Sequence, residues 1–148
     1  MKKKRAMITG LTGQDGAYLA QFLLEKDYKV YGTFRRTSTP NFWRLEYLNI
    51  LNDVELIPAD LLDQSSISEA IKSIKPDEFY NLAAQSFVGA SFEQPVATGE
   101  ITGLGLTRVL DVIRTTDKNI KFYQASTSEM FGGIINEKPL NEKSIFSP

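Results

Sequence analysis

Histidine and cysteine are both absent from the 148 residues of the chain. Without cysteine, disulfides, thiolate nucleophiles and thiolate metal sites are excluded, which fits a reducing compartment. Without histidine, a Ser-His-Asp triad, a histidine metal cluster and the ordinary base near neutral pH are excluded as well. Any proton transfer must therefore depend on Tyr, Lys, Asp or Glu, and no metal site is expected.

A surplus of charge of one sign and a long apolar run are also missing. Seventeen basic and eighteen acidic side chains give a net charge of −1, so there is no general attraction for nucleic acid or for an anionic membrane. Residues 1–5 are basic, but the apolar stretch after them is too short for a secretory signal, and no later run is long enough to span a bilayer. We expect a cytoplasmic protein that binds neither nucleic acid nor membrane.

What remains is the composition of one globular domain, with 42% hydrophobic and 24% charged residues and a length that supports one sizeable core. Short apolar runs alternate with longer segments of helical period, which is the β-α-β pattern. We predict strands at residues 6–9, 29–34, 54–58, 78–81 and 121–125, and helices that begin near residues 16, 41, 64 and 96. Such connections predict an α/β fold with a doubly wound parallel sheet and helices on both faces.

The helical periods also predict which side chains face the sheet. The third helix has Ser65 and Ser66 as cap candidates and is expected to end before Pro76, where helices commonly stop. The predicted apolar faces comprise Leu19, Phe22 and Leu23 in the first helix, Ile67, Ala70, Ile71 and Ile74 in the third, and Leu104, Val109, Leu110 and Ile113 in the fourth.

The segment from Ser126 to Pro148 has a different character. It contains glycine, proline and scattered charges without a sustained period, so we predict a loop with a short turn of helix. A compact domain does not usually end in such a segment. We therefore expect the chain to be the front portion of a longer protein.

The strongest chemical signal is the glycine-rich segment between the first strand and the first helix. Residues 10–16 read Gly-Leu-Thr-Gly-Gln-Asp-Gly. Glycines allow a tight turn and the close approach of a ligand, and the unpaired N–H groups of a helix start favour phosphate. In this position the segment predicts a pyrophosphate-binding turn of a Rossmann-type fold. A glycine turn that serves only helix-sheet packing is the alternative.

The end of the second strand carries two arginines and several hydroxyl groups. Residues 33–38 read Thr-Phe-Arg-Arg-Thr-Ser, where an NAD-binding protein often places Asp or Glu against the ribose hydroxyls. Two guanidinium groups beside hydroxyls would instead hold a 2′-phosphate by charge-assisted hydrogen bonds. The pattern favours NADP over NAD, and a solvated basic loop or a subunit contact is the alternative.

Two further segments follow the third and fourth strands. Asp60 and Leu61 stand where a carboxylate would reach an adenine amino group and a leucine would cover the ring, although Asp60 is equally suited to cap the next helix. Residues 81–86 supply small side chains where the backbone would run beside a dinucleotide. A small-residue turn packed against the sheet is the alternative for that segment.

A cluster of hydroxyl groups with one carboxylate follows the fifth strand, since residues 123–132 read Tyr-Gln-Ala-Ser-Thr-Ser-Glu-Met-Phe-Gly. Ligands bind beyond the carboxyl ends of parallel strands, so the cluster is expected to face the cofactor crevice. Thr127 would hydrogen-bond a substrate hydroxyl, and Glu129 is the only ionisable proton acceptor of the cluster. Polar residues that merely satisfy backbone groups are the alternative.

Taken together, these segments resemble the extended short-chain dehydrogenase/reductase superfamily and, within it, the GDP-mannose 4,6-dehydratase family. The likeness rests on residues 9–16, 35–38, 81–91 and 124–132, and it spans nearly the whole chain. Its most particular parts are Gly-Gln-Asp-Gly, the arginine pair and Thr-Ser-Glu.

The resemblance implies that residues 1–148 form an NADP-binding Rossmann domain of an enzyme whose substrate is GDP-mannose and whose full-length chain is a homodimer or homotetramer. It implies catalytic roles for Thr127 and Glu129, with the family's Tyr-x-x-x-Lys pair and most of the substrate-binding part expected after Pro148. The cofactor-binding residues that it implies are Gly10, Thr12, Gly13, Gln14, Asp15 and Gly16 at the phosphates, Arg35, Arg36 and Ser38 at the 2′-phosphate, Asp60 and Leu61 at the adenine, and Leu82, Ala83, Ala84, Gln85 and Ser86 on the nicotinamide side.

The reaction implied by the resemblance is an internal oxidation, elimination and reduction that gives GDP-4-keto-6-deoxymannose. The family's tyrosine would remove the C4 hydroxyl proton while hydride passes from C4 to NADP⁺. The resulting ketone acidifies the C5 proton, which Glu129 would take; water would then leave from C6, and the hydride would return there. Without the tyrosine and lysine, the 148 residues alone are expected to be inactive.

Other functions share parts of this pattern. A superfamily epimerase or keto-sugar reductase would have the same cofactor half but would not need a carboxylate at residue 129. A non-catalytic NADP-sensing domain would bind the cofactor without turnover. A stable fragment would be active in neither sense.

Overall fold

A five-stranded parallel sheet forms the centre of the protein in the computed structural model, which describes residues 2–132 and 139–148. The strands are β1 (Arg5–Thr9), β2 (Lys29–Phe34), β3 (Glu55–Pro58), β4 (Glu78–Asn81) and β5 (Lys121–Gln124). Their order across the sheet is β3-β2-β1-β4-β5, and every neighbouring pair is parallel. The chain thus winds from β1 outward to β3 and then from β4 outward to β5, which confirms the predicted α/β, Rossmann-type doubly wound sheet.

Helices connect the strands and cover the sheet. They are α1 (Gln14–Glu25), α2 (Trp43–Tyr47), α3 (Gln64–Ile74), α4 (Val88–Glu93), α5 (Pro95–Thr98) and α6 (Gly105–Thr116). A π-helical turn at Gly99–Leu104 joins α5 to α6, and a 3₁₀ helix at Ser128–Phe131 follows β5. The sequence does not predict α4 because none of its six side chains is buried, so it has no apolar period. Among the described helices, none combines the length and the hydrophobicity needed to cross a bilayer.

Two apolar cores lie on opposite faces of the sheet. Strand β1 contributes to both, since Met7 packs into one core and Ala6 and Ile8 pack into the other, as the alternation of side chains along a strand requires. The core of Met7 is completed by α3 and α6, and the core of Ile8 by α1 and α2. The prediction of helices on both faces is therefore confirmed.

Helix α3 follows the sequence prediction in its apolar face and in its end, but not in its cap. All four predicted apolar residues are buried, and the helix ends before Pro76. Its N-cap is Asp63, whose carboxylate accepts hydrogen bonds from the N–H groups of Ser65 (3.0 Å) and Ser66 (3.3 Å). The prediction of a serine cap is wrong because the aspartate just before the helix already satisfies those free N–H groups.

The predicted apolar faces of α1 and α6 are wrong in part. Phe22 is 51% exposed, because the face of α1 that packs on the sheet runs through Ala17, Ala20 and Leu23, and Phe22 lies on another side of the helix. Leu104 and Leu110 are 49% and 44% exposed. Leu104 belongs to the π-helical turn, whose wider winding shifts its phase relative to α6.

Candidate functional site

A cavity of about 540 Å³ opens at the carboxyl edge of the sheet. The winding reverses between β1 and β4, so the loops that follow these strands diverge and leave a crevice, which is the usual ligand position in such sheets. The volume lies within the range of small-molecule and cofactor sites, about 300–1,000 Å³. Ten predicted cofactor-binding residues line the cavity: Gly10, Thr12, Gly13, Arg35, Leu61, Leu82, Ala83, Ala84, Gln85 and Ser86.

The remaining predicted residues are outside this lining. They are Gln14, Asp15, Gly16, Arg36, Ser38, Asp60, Thr127 and Glu129. Except for Gly16, which is buried under the glycine turn, these residues are exposed or partly exposed. The cavity therefore brings together the glycine turn, the first arginine and the loop after β4, and the other predicted residues lie outside its lining.

Packing alone requires two of the three glycines in the turn between β1 and α1. Gly10 has a φ of +72°, and a Cβ there would lie 2.9 Å from the backbone nitrogen of Ala83. A Cβ on Gly16 would overlap the carbonyl oxygen of Gly10 and lie 2.7 Å from the Cα of Leu11. At Gly13, by contrast, the nearest atom would be the Gly10 oxygen at 3.2 Å. Packing thus explains Gly10 and Gly16, whereas a Cβ on Gly13 would make one tight contact that a shift of a few tenths of an ångström relieves.

The start of α1 offers backbone donors to the same space. Its N-cap is Gly13, and no side chain in the described part of the chain caps it. The first N–H groups of a helix have no intrahelical partner, and together with the helix dipole they form a site for an anion. On the other side of the turn, Arg44 donates a hydrogen bond to the carbonyl oxygen of Thr12 (3.3 Å) and supports the loop from α2.

A buried chain of hydrogen bonds joins the carboxyl ends of β1, β4 and β5. The hydroxyl of Thr9 donates to Asn81 Oδ1 (2.5 Å), and Asn81 Nδ2 donates to Gln124 Oε1 (2.7 Å). The same Thr9 oxygen accepts hydrogen bonds from the N–H groups of Leu82 and Ala83, each at 3.2 Å. These side chains fix the three strand ends from which the loops of the cavity begin.

The loop after β2 brings the first arginine to the cavity and leaves the second outside its lining. Arg35 lines the cavity, and Arg36 is exposed. Neither guanidinium is paired with a carboxylate among residues 2–132 and 139–148. Phe34 and Phe42 pack edge to face with their ring centres 5.3 Å apart, so the loop closes on itself and presents its polar groups to the cavity.

Several residues of the lining are not among those predicted from the sequence. They are Thr9, Thr33, Phe34, Thr37, Pro40, Asn41, Phe42, Ala59 and Ile101. Four of them, Thr9, Phe34, Thr37 and Ala59, adjoin a predicted residue in the chain, and this position is the signal that could have indicated them. Ile101 belongs to the π-helical turn, which no sequence period indicates.

The loop after β3 resolves the two interpretations of Asp60. Its carboxylate accepts a hydrogen bond from the Leu62 N–H (3.0 Å), and its own N–H donates to the Ser66 hydroxyl (3.1 Å). Since Asp63 caps α3, the interpretation of Asp60 as the helix cap is wrong. Leu61 is 7% exposed and forms part of the cavity wall.

The loop after β4 is fixed largely by Gln85. Its side-chain amide donates to the Phe87 carbonyl (3.0 Å) and to the Thr98 hydroxyl (3.3 Å), and its oxygen accepts from the Phe87 N–H (2.8 Å). The Gln85 N–H donates to the Thr102 hydroxyl at 3.1 Å. The amide of Gln85 therefore shapes the loop against α5 and the π-helical turn.

The segment after β5 carries Thr127 and Glu129 at the same edge of the sheet. The Thr127 oxygen accepts a hydrogen bond from the Glu129 N–H (3.1 Å) and caps the 3₁₀ helix. Both residues are exposed. Capping of the 3₁₀ helix thus accounts for one hydrogen bond of Thr127. The Glu129 carboxylate has no hydrogen bond or ion pair within the described part of the chain.

Comparison with known proteins gives one consistent family. The family model described as GDP-mannose 4,6 dehydratase matches residues 7–148. The chain is 48% identical to a GDP-mannose 4,6 dehydratase of Drosophila melanogaster over 155 residues, which cover 99% of the chain and 39% of that protein. It is 45% identical to a GDP-mannose 4,6-dehydratase of Vibrio cholerae, with 99% and 41% covered. The chain thus spans about two fifths of the length of these curated relatives.

A solved structure supports the fold. The UDP-glucose 4-epimerase of Thermus thermophilus, in complex with NAD, superposes with a TM-score of 0.83 at 24% identity, covering 97% of this chain and 44% of that one. At this identity the likeness concerns the fold alone.

Replacement of Gly16 by alanine is expected to destabilise the protein clearly more than Gly13→Ala, which adds one tight contact at the N-cap. Alanine stabilises a helix by about 1 kcal/mol relative to glycine. If the free energy of unfolding of Gly16→Ala nevertheless falls by about 1–3 kcal/mol, the overlap of its methyl group with Gly10 is the cause. Urea denaturation of both variants, made in the full-length protein, measures the free energy of unfolding. Equal stability of the two variants would contradict this account of the turn.

The Gly13→Ala variant also separates packing from ligand binding. Because its added methyl group adjoins the cavity, the dissociation constant for adenosine diphosphate is expected to rise about tenfold, a cost of about 1.4 kcal/mol. Isothermal titration calorimetry of the full-length protein measures it. An unchanged constant would show that Gly13 does not approach the phosphates.

Proposed function

Since this chain belongs to the GDP-mannose 4,6-dehydratase family, we propose that it is the cofactor-binding portion of an enzyme that converts GDP-mannose to GDP-4-keto-6-deoxymannose with loss of water. One observation carries the proposal. The glycine turn, the arginine loop and the segment of Thr127 and Glu129 all follow strands whose carboxyl ends lie at one edge of the sheet.

The residues of the cavity fit a nicotinamide dinucleotide. The free N–H groups at the start of α1 suit a pyrophosphate, and Gly13 leaves room for it. The cavity has the volume of a cofactor site. The Thermus epimerase, which shares the fold, holds NAD in its crystal structure. These points support a nicotinamide cofactor along the turn, with Asp60 and Leu61 at the adenine and residues 82–86 beside the nicotinamide.

The arginine loop supports NADP rather than NAD. No acidic residue occurs between Thr33 and Ser38, whereas a carboxylate there would repel a 2′-phosphate. Arg35 lines the cavity, and Arg36 and Ser38 are exposed neighbours of the lining residues Arg35 and Thr37 in the chain. Neither arginine has a carboxylate partner in the described part of the chain. Together they would bind the 2′-phosphate by charge-assisted hydrogen bonds.

When bound, the cofactor accepts a hydride from the sugar and returns it. The chain's own residues would then move a proton at C5 of the sugar, where the adjoining C4 ketone makes the C–H bond acidic. In a chain without histidine, a carboxylate is the suitable base, and Glu129 has an exposed one. Thr127 would hold a sugar hydroxyl by a hydrogen bond. The 148 residues contain no Tyr-x-x-x-Lys segment.

Removal of both arginine side chains is expected to abolish the preference for NADP. Two charge-assisted hydrogen bonds are worth about 1.5–3 kcal/mol each, so the Arg35→Ala/Arg36→Ala variant is expected to bind NADPH at least about 100-fold more weakly and NADH about as well as the parent. Fluorescence titration of the full-length protein measures both constants. The control is Arg114→Ala, an exposed arginine on α6 that pairs with Asp111. Equal losses for NADPH and NADH would contradict the proposed 2′-phosphate site.

Glu129→Gln in the full-length enzyme is expected to retain cofactor binding and to lose turnover. Loss of a general base typically lowers the rate by about 10² to 10⁴, and deuterium from the solvent would no longer enter C5. The formation of the 4-keto-6-deoxy product, followed by chromatography, and the NADPH affinity are measured together. The control is Glu142→Gln, another exposed carboxylate.

Turnover as fast as in the parent enzyme would remove Glu129 from the mechanism. Deuterium exchange at C5 with the C6 oxygen retained would favour an epimerase instead. Cofactor binding by the intact parent protein without any turnover of sugar nucleotides would favour a sensing domain.

A further inference from the structure

We propose that Arg108 is a positioning residue for the adenine half of the cofactor, and that it acts by holding the loop after β3 and the π-helical turn at a fixed spacing. The inference rests on the proposed function, because it assumes that a dinucleotide binds in the cavity. Arg108 itself does not line the cavity.

The guanidinium of Arg108 connects two separate segments of the chain. One of its terminal nitrogens donates hydrogen bonds to the Glu100 carbonyl oxygen (3.1 Å) and to the Leu61 carbonyl oxygen (3.4 Å). The other donates to the Glu100 carboxylate at 2.6 Å. The Arg108 side chain is only 23% exposed, so water competes with these hydrogen bonds less than it would at the surface.

The first segment held by Arg108 is the wall expected to face the adenine. Leu61 lines the cavity and packs under α6, where a Cβ on Gly105 would lie 3.0 Å from the Leu61 Cβ. The hydrogen bonds of Asp60 and Asp63 in this loop are local. Helix α6 is also reached from the start of α3, where the Gln64 side chain donates to the Asp111 carboxylate (3.1 Å). In the described part of the chain, the hydrogen bond from Arg108 is the one that joins α6 to the Leu61 backbone itself.

The second segment is the π-helical turn. The Glu100 oxygen that receives the Arg108 hydrogen bond also accepts the N–H of Gly105, five residues later, which defines the wide turn. That turn places Ile101 in the cavity and Thr102 against the backbone of Gln85. One guanidinium therefore stabilises both walls, and its loss would free them to move relative to each other.

Arginine suits this position better than lysine. A planar guanidinium presents several N–H groups in a fixed fork, so it serves two carbonyl oxygens and a carboxylate together, whereas an ammonium is a single point. Arg114 on the same helix provides the contrast. Its side chain is 68% exposed and pairs only with Asp111, one turn away, so it has no link to the cavity.

The test compares four variants of the full-length protein: Arg108→Met, Arg108→Lys, Glu100→Gln and the control Arg114→Met. The probes are adenosine diphosphate, which contains the half shared by NAD and NADP, and nicotinamide mononucleotide, together with NADPH. Dissociation constants are measured by calorimetry at a temperature at which each variant is folded, as established by its own thermal unfolding curve.

Arg108→Met is expected to raise the dissociation constant for adenosine diphosphate about tenfold, and Arg108→Lys and Glu100→Gln about threefold. The constant for nicotinamide mononucleotide is expected to change less than about twofold in all three, because the loop of Gln85 keeps its hydrogen bonds to Phe87 and Thr98. The control is expected to match the parent. If Arg108 served stability alone, its variants would unfold at a lower temperature, but the ratio of the dissociation constants for adenosine diphosphate and nicotinamide mononucleotide would not change. That result would overturn the inference.

The remaining outcomes are also decisive. If Arg108→Met does not fold, the Arg108→Lys variant decides by the same ratio, and an unchanged ratio there overturns the inference. If the parent protein and the variants all bind adenosine diphosphate and NADPH equally well, the role of Arg108 is contradicted and the proposed function is not. A parent protein that binds neither probe would contradict the proposed function and this inference with it.

Discussion

The buried hydrogen bonds from Thr9 through Asn81 to Gln124 are the constraint on which the candidate site depends. Thr9 and Asn81 are almost completely buried, at 3% and 1% exposure, and buried polar groups are costly unless each finds a partner. Here the partners are one another and the backbone N–H groups at the end of β4. The carboxyl ends of β1, β4 and β5 are therefore held in one arrangement, and the loops of the cavity begin from a rigid edge.

The loops on that edge are stabilised one by one, each by a different interaction. The absence of a side chain at Gly10 and Gly16 allows the tight turn before α1. The amide of Gln85 shapes the loop after β4, and Arg108 joins the loop after β3 to the π-helical turn. A rigid scaffold with loops fixed in this way is what binding of an extended cofactor requires, because little conformational entropy is then lost on binding.

Much of this arrangement could be predicted from the sequence, because apolar runs of strand length and glycine positions are local signals. The five strands agree with the prediction to within one residue at each end. Most failures arise where packing between separate segments decides. Phe22 has a helical spacing from its apolar neighbours, yet the buried face of α1 runs through Ala17 and Ala20 on another side of the helix. The π-helical turn and the two-sided role of Arg108 depend on contacts between separate segments, which no local pattern records. The cap by Asp63 is a local signal, two and three residues before its partners, that the prediction missed.

The central claim is that a nicotinamide dinucleotide lies across the carboxyl edge of the sheet, with its phosphates at the start of α1. A crystal structure of the full-length protein grown with NADPH tests it most directly. We predict pyrophosphate oxygens within hydrogen-bond distance of the N–H groups near Gly13, and the 2′-phosphate beside Arg35. Cofactor density at any other place in the fold, with the glycine turn left free, would contradict the account.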